Sequence, residues 1–198
     1  TRYDDGALTA EMGLFLINFN NQYDSNQTND TVTARGKTRH SGLEAQTRYA
    51  LGELSPALDN LSVYASYAYV NAEIREKGDT YGNQVPFSPK HKGTFGVDYK
   101  PGSWTFNLNG DFQSSQFADN ANTVAESADG STGRIPGYML WGARVAYDFG
   151  PQMANLNLAL GVKNIFDHAY YTRSYDDNNK GLYAGQPRTL YLQGSMKF

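Results

Sequence analysis

The side chains best suited to chemistry are three histidines, His40, His91 and His168, the run Asp176-Asp177-Asn178-Asn179, and the pair Asp129-Gly130. The histidines stand far apart, with no pair at ligand spacing, so the sequence predicts no zinc site. The two acidic turns offer oxygen ligands, but neither has the spacing of a calcium loop, and solvated turns share this composition. No serine occupies a nucleophile elbow, so the abundant Ser, His and Asp residues do not define a hydrolase. No enzyme activity and no cofactor are predicted. The chemistry left is recognition through hydrogen bonds and charge, and it depends on elements that hold polar loops in place.

Composition narrows those elements. The chain has 198 residues, a formal charge of -3 and no cysteine. Its mean hydropathy is -0.61. The absence of cysteine excludes disulfide frameworks and thiolate metal sites. The basic residues do not cluster into a face that would hold nucleic acid. No apolar run is long enough for a spanning helix. A membrane barrel escapes that test, because half of each strand faces a polar lumen and the average stays hydrophilic. The 15 Tyr, 10 Phe and 2 Trp suit a lipid-water boundary, being apolar in body and, for Tyr and Trp, polar at the tip.

Alternation is the main signal. In residues 189–198, Leu190, Leu192, Met196 and Phe198 fall on one face, with Thr189, Gln193, Ser195 and Lys197 on the other. The device recurs upstream. Leu8, Ala10, Met12, Leu14 and Leu16 oppose Thr9, Glu11 and Gly13, while Phe15, Ile17 and Phe19 blur the polar face. Leu43, Ala45, Thr47 and Tyr49 oppose Glu44, Gln46 and Arg48. Leu61, Val63, Ala65, Tyr67 and Tyr69 alternate with smaller or more polar neighbours. Further on, Phe95, Val97 and Tyr99 oppose Thr94 and Asp98, and Trp104, Phe106, Leu108 and Phe112 oppose Asn107, Asn109 and Asp111. Met139, Trp141, Ala143, Val145 and Tyr147 face away from Arg144 and Asp148, and Leu156, Leu158, Leu160 and Val162 from Asn157 and Lys163. That makes eight strands. Their connections alternate between turns, as at Pro101-Gly102 and Gly150-Pro151, and long polar loops at about 24–40, 73–90, 116–136 and 173–187. The predicted fold is an all-β, antiparallel, up-and-down transmembrane barrel. Thr1-Arg2-Tyr3 reads as the end of a further strand entering the turn Asp4-Asp5-Gly6, which makes the chain a fragment. A self-contained eight-stranded barrel acting as adhesin, small pore or anchor is the alternative.

The residues also carry a family resemblance. Val162-Lys163-Asn164-Ile165-Phe166-Asp167-His168-Ala169-Tyr170-Tyr171, then Gly185-Gln186-Pro187-Arg188, then a last strand ending in Phe198 resembles the carboxy-terminal end of TonB-dependent outer-membrane receptors. Thr38-Arg39-His40-Ser41-Gly42-Leu43-Glu44 is similar to another barrel stretch of those receptors, and the chain looks most like the ferric-citrate receptors. The resemblance implies a Gram-negative outer-membrane location and a barrel of roughly 22 strands around a plug domain. Residues 1–198 would be its carboxy-terminal portion, without the plug and the remaining strands. It implies a ferric chelate as cargo, citrate or another siderophore, with Gln27 and Asn178 in long loops as chelate contacts, each an amide able to donate to a carboxylate. Arg35, Arg39 and Arg173 are further cations on those loops and are not assigned to the cargo. It also implies coupling to the TonB-ExbB-ExbD complex through the absent plug, contact with outer-membrane lipid, and recognition of the strand ending at Phe198 by the barrel assembly machinery. The Asn164-Asp167 turn is expected to be structural, its side chains bonding the adjoining backbone. Leu158→Arg, on the lipid face, is expected to harm assembly more than Asn157→Arg.

Overall fold

The computed structural model is built from strands, and it describes the chain apart from residues 27–30, 129, 175–180 and 197–198, with backbone alone for 21–26 and 31–35. In chain order the strands are β1 (Arg2–Asp4), β2 (Leu8–Asn26), β3 (Thr31–Ala50), β4 (Leu61–Ile74), β5 (His91–Tyr99), β6 (Trp104–Gln113), β7 (Gln116–Phe117), β8 (Arg134–Ile135), β9 (Tyr138–Asp148), β10 (Asn157–Lys163), β11 (Tyr171–Ser174), β12 (Leu182–Ala184) and β13 (Thr189–Ser195). Nine of them form one antiparallel sheet, β1-β2-β3-β4-β5-β6-β9-β10-β13, while β7-β8 and β11-β12 are small hairpins within loops. The eight expected strands are present, and β1 is the strand end expected before Asp4-Asp5-Gly6. Among the described residues β1 and β13 are the outer strands of an open sheet and do not pair with each other. This chain therefore does not close into a small barrel of its own.

Register follows from the period of two. Glu11, Gln46, Ser66, Thr94 and Asp111 lie across from one another on successive strands, so the polar sets combine into one inner face. The outer face is apolar and open to its surroundings: Leu14 is 78% exposed, Leu190 73% and Leu192 76%. A soluble sheet would bury such a face against another layer. Aromatic rings collect at its two margins. Near the short turns, Tyr99 stacks on Phe106 at 6.1 Å, Trp104 meets Tyr147 edge-on at 4.8 Å, and Tyr147 meets Phe149 at 4.8 Å. Near the long loops, Tyr67 stacks on Phe112 at 6.5 Å and on His91 at 6.1 Å. Aliphatic residues such as Leu108 and Leu160 lie between them. This apolar band with aromatic girdles is the exterior of a transmembrane barrel.

The turn chemistry is local. In the β1-β2 turn the Asp5 carboxylate accepts from the Leu8 N–H at 2.7 Å, the Ala7 N–H at 3.1 Å and the Tyr3 hydroxyl at 3.0 Å. The Leu8 N–H first, then the Tyr3 hydroxyl, holds that carboxyl below the usual range. Gly42 explains part of the Thr38–Glu44 stretch. A Cβ there would collide with the Tyr69 carbonyl oxygen and with the Phe15 ring that lies across the glycine. Phe15, which blurred the polar face in the sequence, thus covers a gap in the neighbouring strand.

One expectation needs correction. Residues 24–40 are not a loop, because β2 runs to Asn26 and β3 begins at Thr31, pairing through Asn26↔Thr31 with a register shift between Phe19 and Tyr23. Asn, Asp, Ser and Thr dominate this stretch of sequence, so no apolar alternation marks the two strands that pair there.

Candidate functional site

The inner face is held by hydrogen bonds that cross strands. Arg48 on β3 donates to Asp98 on β5 at 2.8 Å and to Ser62 on β4 at 2.9 Å, and lies over the Tyr64 ring at 5.0 Å. Asn107 on β6 donates to Asp98 at 2.8 Å and to the Tyr64 hydroxyl at 3.0 Å. Asp98 is only 8% exposed and its two oxygens receive one donor each from these residues, which offsets the cost of burying it. A second group joins Thr94, Asp111 and Asn109 at 2.6 and 2.8 Å. A third joins Gln46 to Glu11 at 2.6 Å. The second and third groups border a concavity of about 780 Å³ lined by Glu11, Gln46, Lys92, Thr94, Asp111 and Tyr138, among others. It can receive a polar body and has no constellation for covalent chemistry.

At the end with the long connections, the loops are knitted into one layer. The 75–90 and 114–137 segments meet in a reciprocal amide pair: Asn122 donates to the Gln84 carbonyl at 2.8 Å and accepts from the Gln84 N–H at 2.7 Å. The Phe87 N–H adds a bond to the Phe117 carbonyl at 2.9 Å, and Asn83 donates to the Asn120 carbonyl at 2.9 Å. Gln116 reaches the next loop, donating to the Thr172 carbonyl at 2.6 Å. Ala72, Ile74 and Val85 make a small apolar core beneath. The β2-β3 arm is tied in through the Glu76 carboxylate, which accepts the Lys37 N–H at 3.1 Å.

The base of the last long loop is a clasp. Asn164 and Asp167 adopt positive φ, 50° and 52°. The Asn164 amide donates to the carbonyls of His168 at 3.0 Å and Gln186 at 3.1 Å, and its oxygen accepts the His168 N–H at 2.9 Å. Asp167 accepts the Arg188 N–H at 2.7 Å. Tyr170 covers Gly185, where a Cβ would strike its ring, and its hydroxyl accepts the Gln186 N–H at 3.1 Å. The motifs at 162–171 and 185–188 are therefore two halves of one structural element, as expected for the Asn164-Asp167 turn.

The proposed chelate contacts Gln27 and Asn178 lie outside the described residues, as do Asp129 and the Asp176-Asp177-Asn178-Asn179 run, and the Arg35 side chain is likewise not described. Arg39 points outward and donates to Asn18 at 3.0 Å, while Arg173 lies over the Tyr183 ring at 4.3 Å. The three histidines are dispersed: His40 meets Phe19, His91 meets Tyr67 and Tyr69, and the His168 backbone serves the clasp. Among the described residues no group of three metal ligands forms. Sequence reasoning missed the Arg48-Asp98-Asn107-Tyr64 group. Alternation put Arg48, Asp98 and Asn107 on the polar side, but their meeting depends on registers across four strands.

An open antiparallel sheet with an apolar, girdled exterior, a polar interior and long loops at one end defines a piece of an outer-membrane transport barrel. The chain belongs to the TonB-dependent receptor-like β-barrel family, whose model matches residues 1–165. Members are outer-membrane proteins of Gram-negative bacteria, and that membrane is the location of this chain. Among solved structures it is similar to the ferric citrate transporter FecA in unliganded form, 88% identical with a TM-score of 0.90 over 100% of this chain and 30% of that one. Among characterised relatives it is 26% identical over 198 residues to the metal-pseudopaline receptor CntO of Pseudomonas aeruginosa, covering 98% of this chain and 26% of that protein. It is 27% identical over 169 residues to the ferrichrome outer membrane transporter and phage receptor of Escherichia coli K12, covering 82% of this chain and 20% of that protein. The chain thus spans about a quarter of the length of these relatives. They are transporters and receptors.

Proposed function

We propose that residues 1–198 are the carboxy-terminal portion of the barrel of a receptor that binds and imports ferric citrate across the outer membrane. The observation that carries this reading is the 88% identity to a ferric citrate transporter across the whole of this chain. In the complete protein, a plug domain occupies the polar interior and the remaining strands close a barrel of roughly 22 strands. The chelate arrives on the loop layer, where Gln27 and Asn178 donate amide N–H groups to its citrate carboxylates, charge-assisted bonds of the stronger kind. The loops then close and TonB, energised by ExbB and ExbD, rearranges the plug. The iron is cargo, and no covalent step or resident cofactor is involved. The segment from β13 to Phe198 is presented to the barrel assembly machinery.

The test is chelate binding to the full-length protein in detergent, comparing ferric citrate with a hydroxamate and a catecholate chelate, and Gln27→Ala and Asn178→Ala with the parent. Selective ferric citrate binding weakened about tenfold by each change, as for loss of one charge-assisted bond, supports the reading. Selective binding of another chelate removes the citrate assignment. Unchanged affinity in both variants removes the two contacts.

A further inference from the structure

The outer face carries a feature that cargo binding does not use. A tilted strand needs about ten residues to cross the hydrocarbon core. Counted upward from Ala50, β3 reaches Ser41 at that length, and its next outward residues are Arg39 and Lys37. Thr38 and His40 point the other way and touch each other at 3.2 Å. The neighbouring strands agree on the boundary: Arg39 lies across from Asn18 on β2, just beyond Leu14 and Leu16, and across from Glu73 on β4. Arg39 and Lys37 therefore stand one above the other where the apolar band gives way to the headgroup layer.

Among the described residues their charges are unmatched. Arg39 donates to the neutral Asn18 oxygen at 3.0 Å, which fixes the guanidinium without neutralising it. Glu73, in the same row, is taken up by Arg75 at 3.1 Å and by Asn71 at 2.7 Å. Glu76 turns to the Lys37 backbone N–H. Among the described residues no carboxylate lies within ion-pair distance of the Lys37 or Arg39 side chain.

We propose that Lys37 and Arg39 form a binding site for the phosphate of an acylated lipid in the outer leaflet. The acyl chains lie along exposed Leu14 and Leu16, and the two cations share the phosphate oxygens above them. Charge complementarity and continuity with the lipid-facing band select a lipid over a free anion. This inference rests on the outer-membrane placement and is independent of the cargo, so its failure and that of the citrate reading are separate.

The experiment is native mass spectrometry of the full-length protein with lipid A, the same disaccharide stripped of its phosphates, and phosphatidylcholine. Retention of lipid A alone is expected, because its phosphates carry net negative charge while the phosphate of phosphatidylcholine is balanced by its own choline, and it falls about fivefold in Lys37→Ala or Arg39→Gln and further in the double variant. Arg39→Gln keeps a group that can bond Asn18, so loss there reports charge. Lys100→Ala, at the opposite end of the sheet, is expected to leave retention unchanged. Equal retention of the dephosphorylated form, full displacement by inorganic phosphate, or an equal loss in Lys100→Ala overturns the proposal.

Discussion

On β6, Trp104, Phe106, Leu108 and Phe112 look outward while Asn107, Asn109 and Asp111 look inward, and the two sets are held by different forces. The outward set makes ring contacts with neighbouring strands and otherwise leaves apolar surface for lipid. The inward set makes directed bonds to named partners: Asn107 to Tyr64 and Asp98, and Asn109 to Asp111. Outward positions should thus tolerate any apolar side chain and reject charge according to depth. Inward positions should tolerate solvated charge and reject loss of a partner.

The largest effect expected is a charge at mid-strand. Leu160, 53% exposed at the centre of β10, becomes Arg at a cost of about 2–4 kcal/mol, read as lost heat-modifiable folded protein. Leu158→Arg, nearer the turn, should cost about 1 kcal/mol, and inward Asn157→Arg less than about 0.5 kcal/mol. Equal tolerance of all three would break the distinction between faces. Next is Asn164→Ala, which removes three bonds at a positive-φ position and should cost about 2–3 kcal/mol, seen as new protease cleavage at the base of the last loop. Arg48→Ala leaves Asp98 with fewer donors and should lower stability by about 1 kcal/mol in urea, with Asp98→Asn partly restoring it. The smallest concerns Asp5. Its lowered pKa makes the turn's contribution complete above the usual carboxylate value of about 3.9 and lost as pH falls through the lower folded value. Asp5→Asn should therefore narrow the difference between urea midpoints at pH 7 and pH 3, and an unchanged difference would exclude the turn as its source.

Much of this was legible in the chain itself. Every strand of the apolar band followed from period-two patterning, because lipid on one side and polar neighbours on the other impose alternation residue by residue. The β2-β3 arm was not legible past Tyr23, since beyond the bilayer nothing enforces a face, and Thr, Asn and Asp read as loop. The small hairpins at Gln116 and Tyr171 escaped notice for the same reason. The clasp was foreseen at Asn164 and Asp167, but its closure by Gln186 and Arg188 spans 22 and 21 residues that no local pattern links. Gln27 and Asn178 came from resemblance alone, and polar amides in solvated loops carry no physical signal of their own.

The clasp also bears on how such receptors diversify. By joining the two ends of an excursion with their own side chains and backbone, it settles the closure of the last loop at its base. Lengthening the tip then adds only a slowly growing entropic cost, about 0.6 kcal/mol per doubling of an open loop and less where the ends are already pinned. Residues between the two motifs can change in length and kind while the first bond of β13 stays where it is. The loop can vary at its tip without re-solving the barrel.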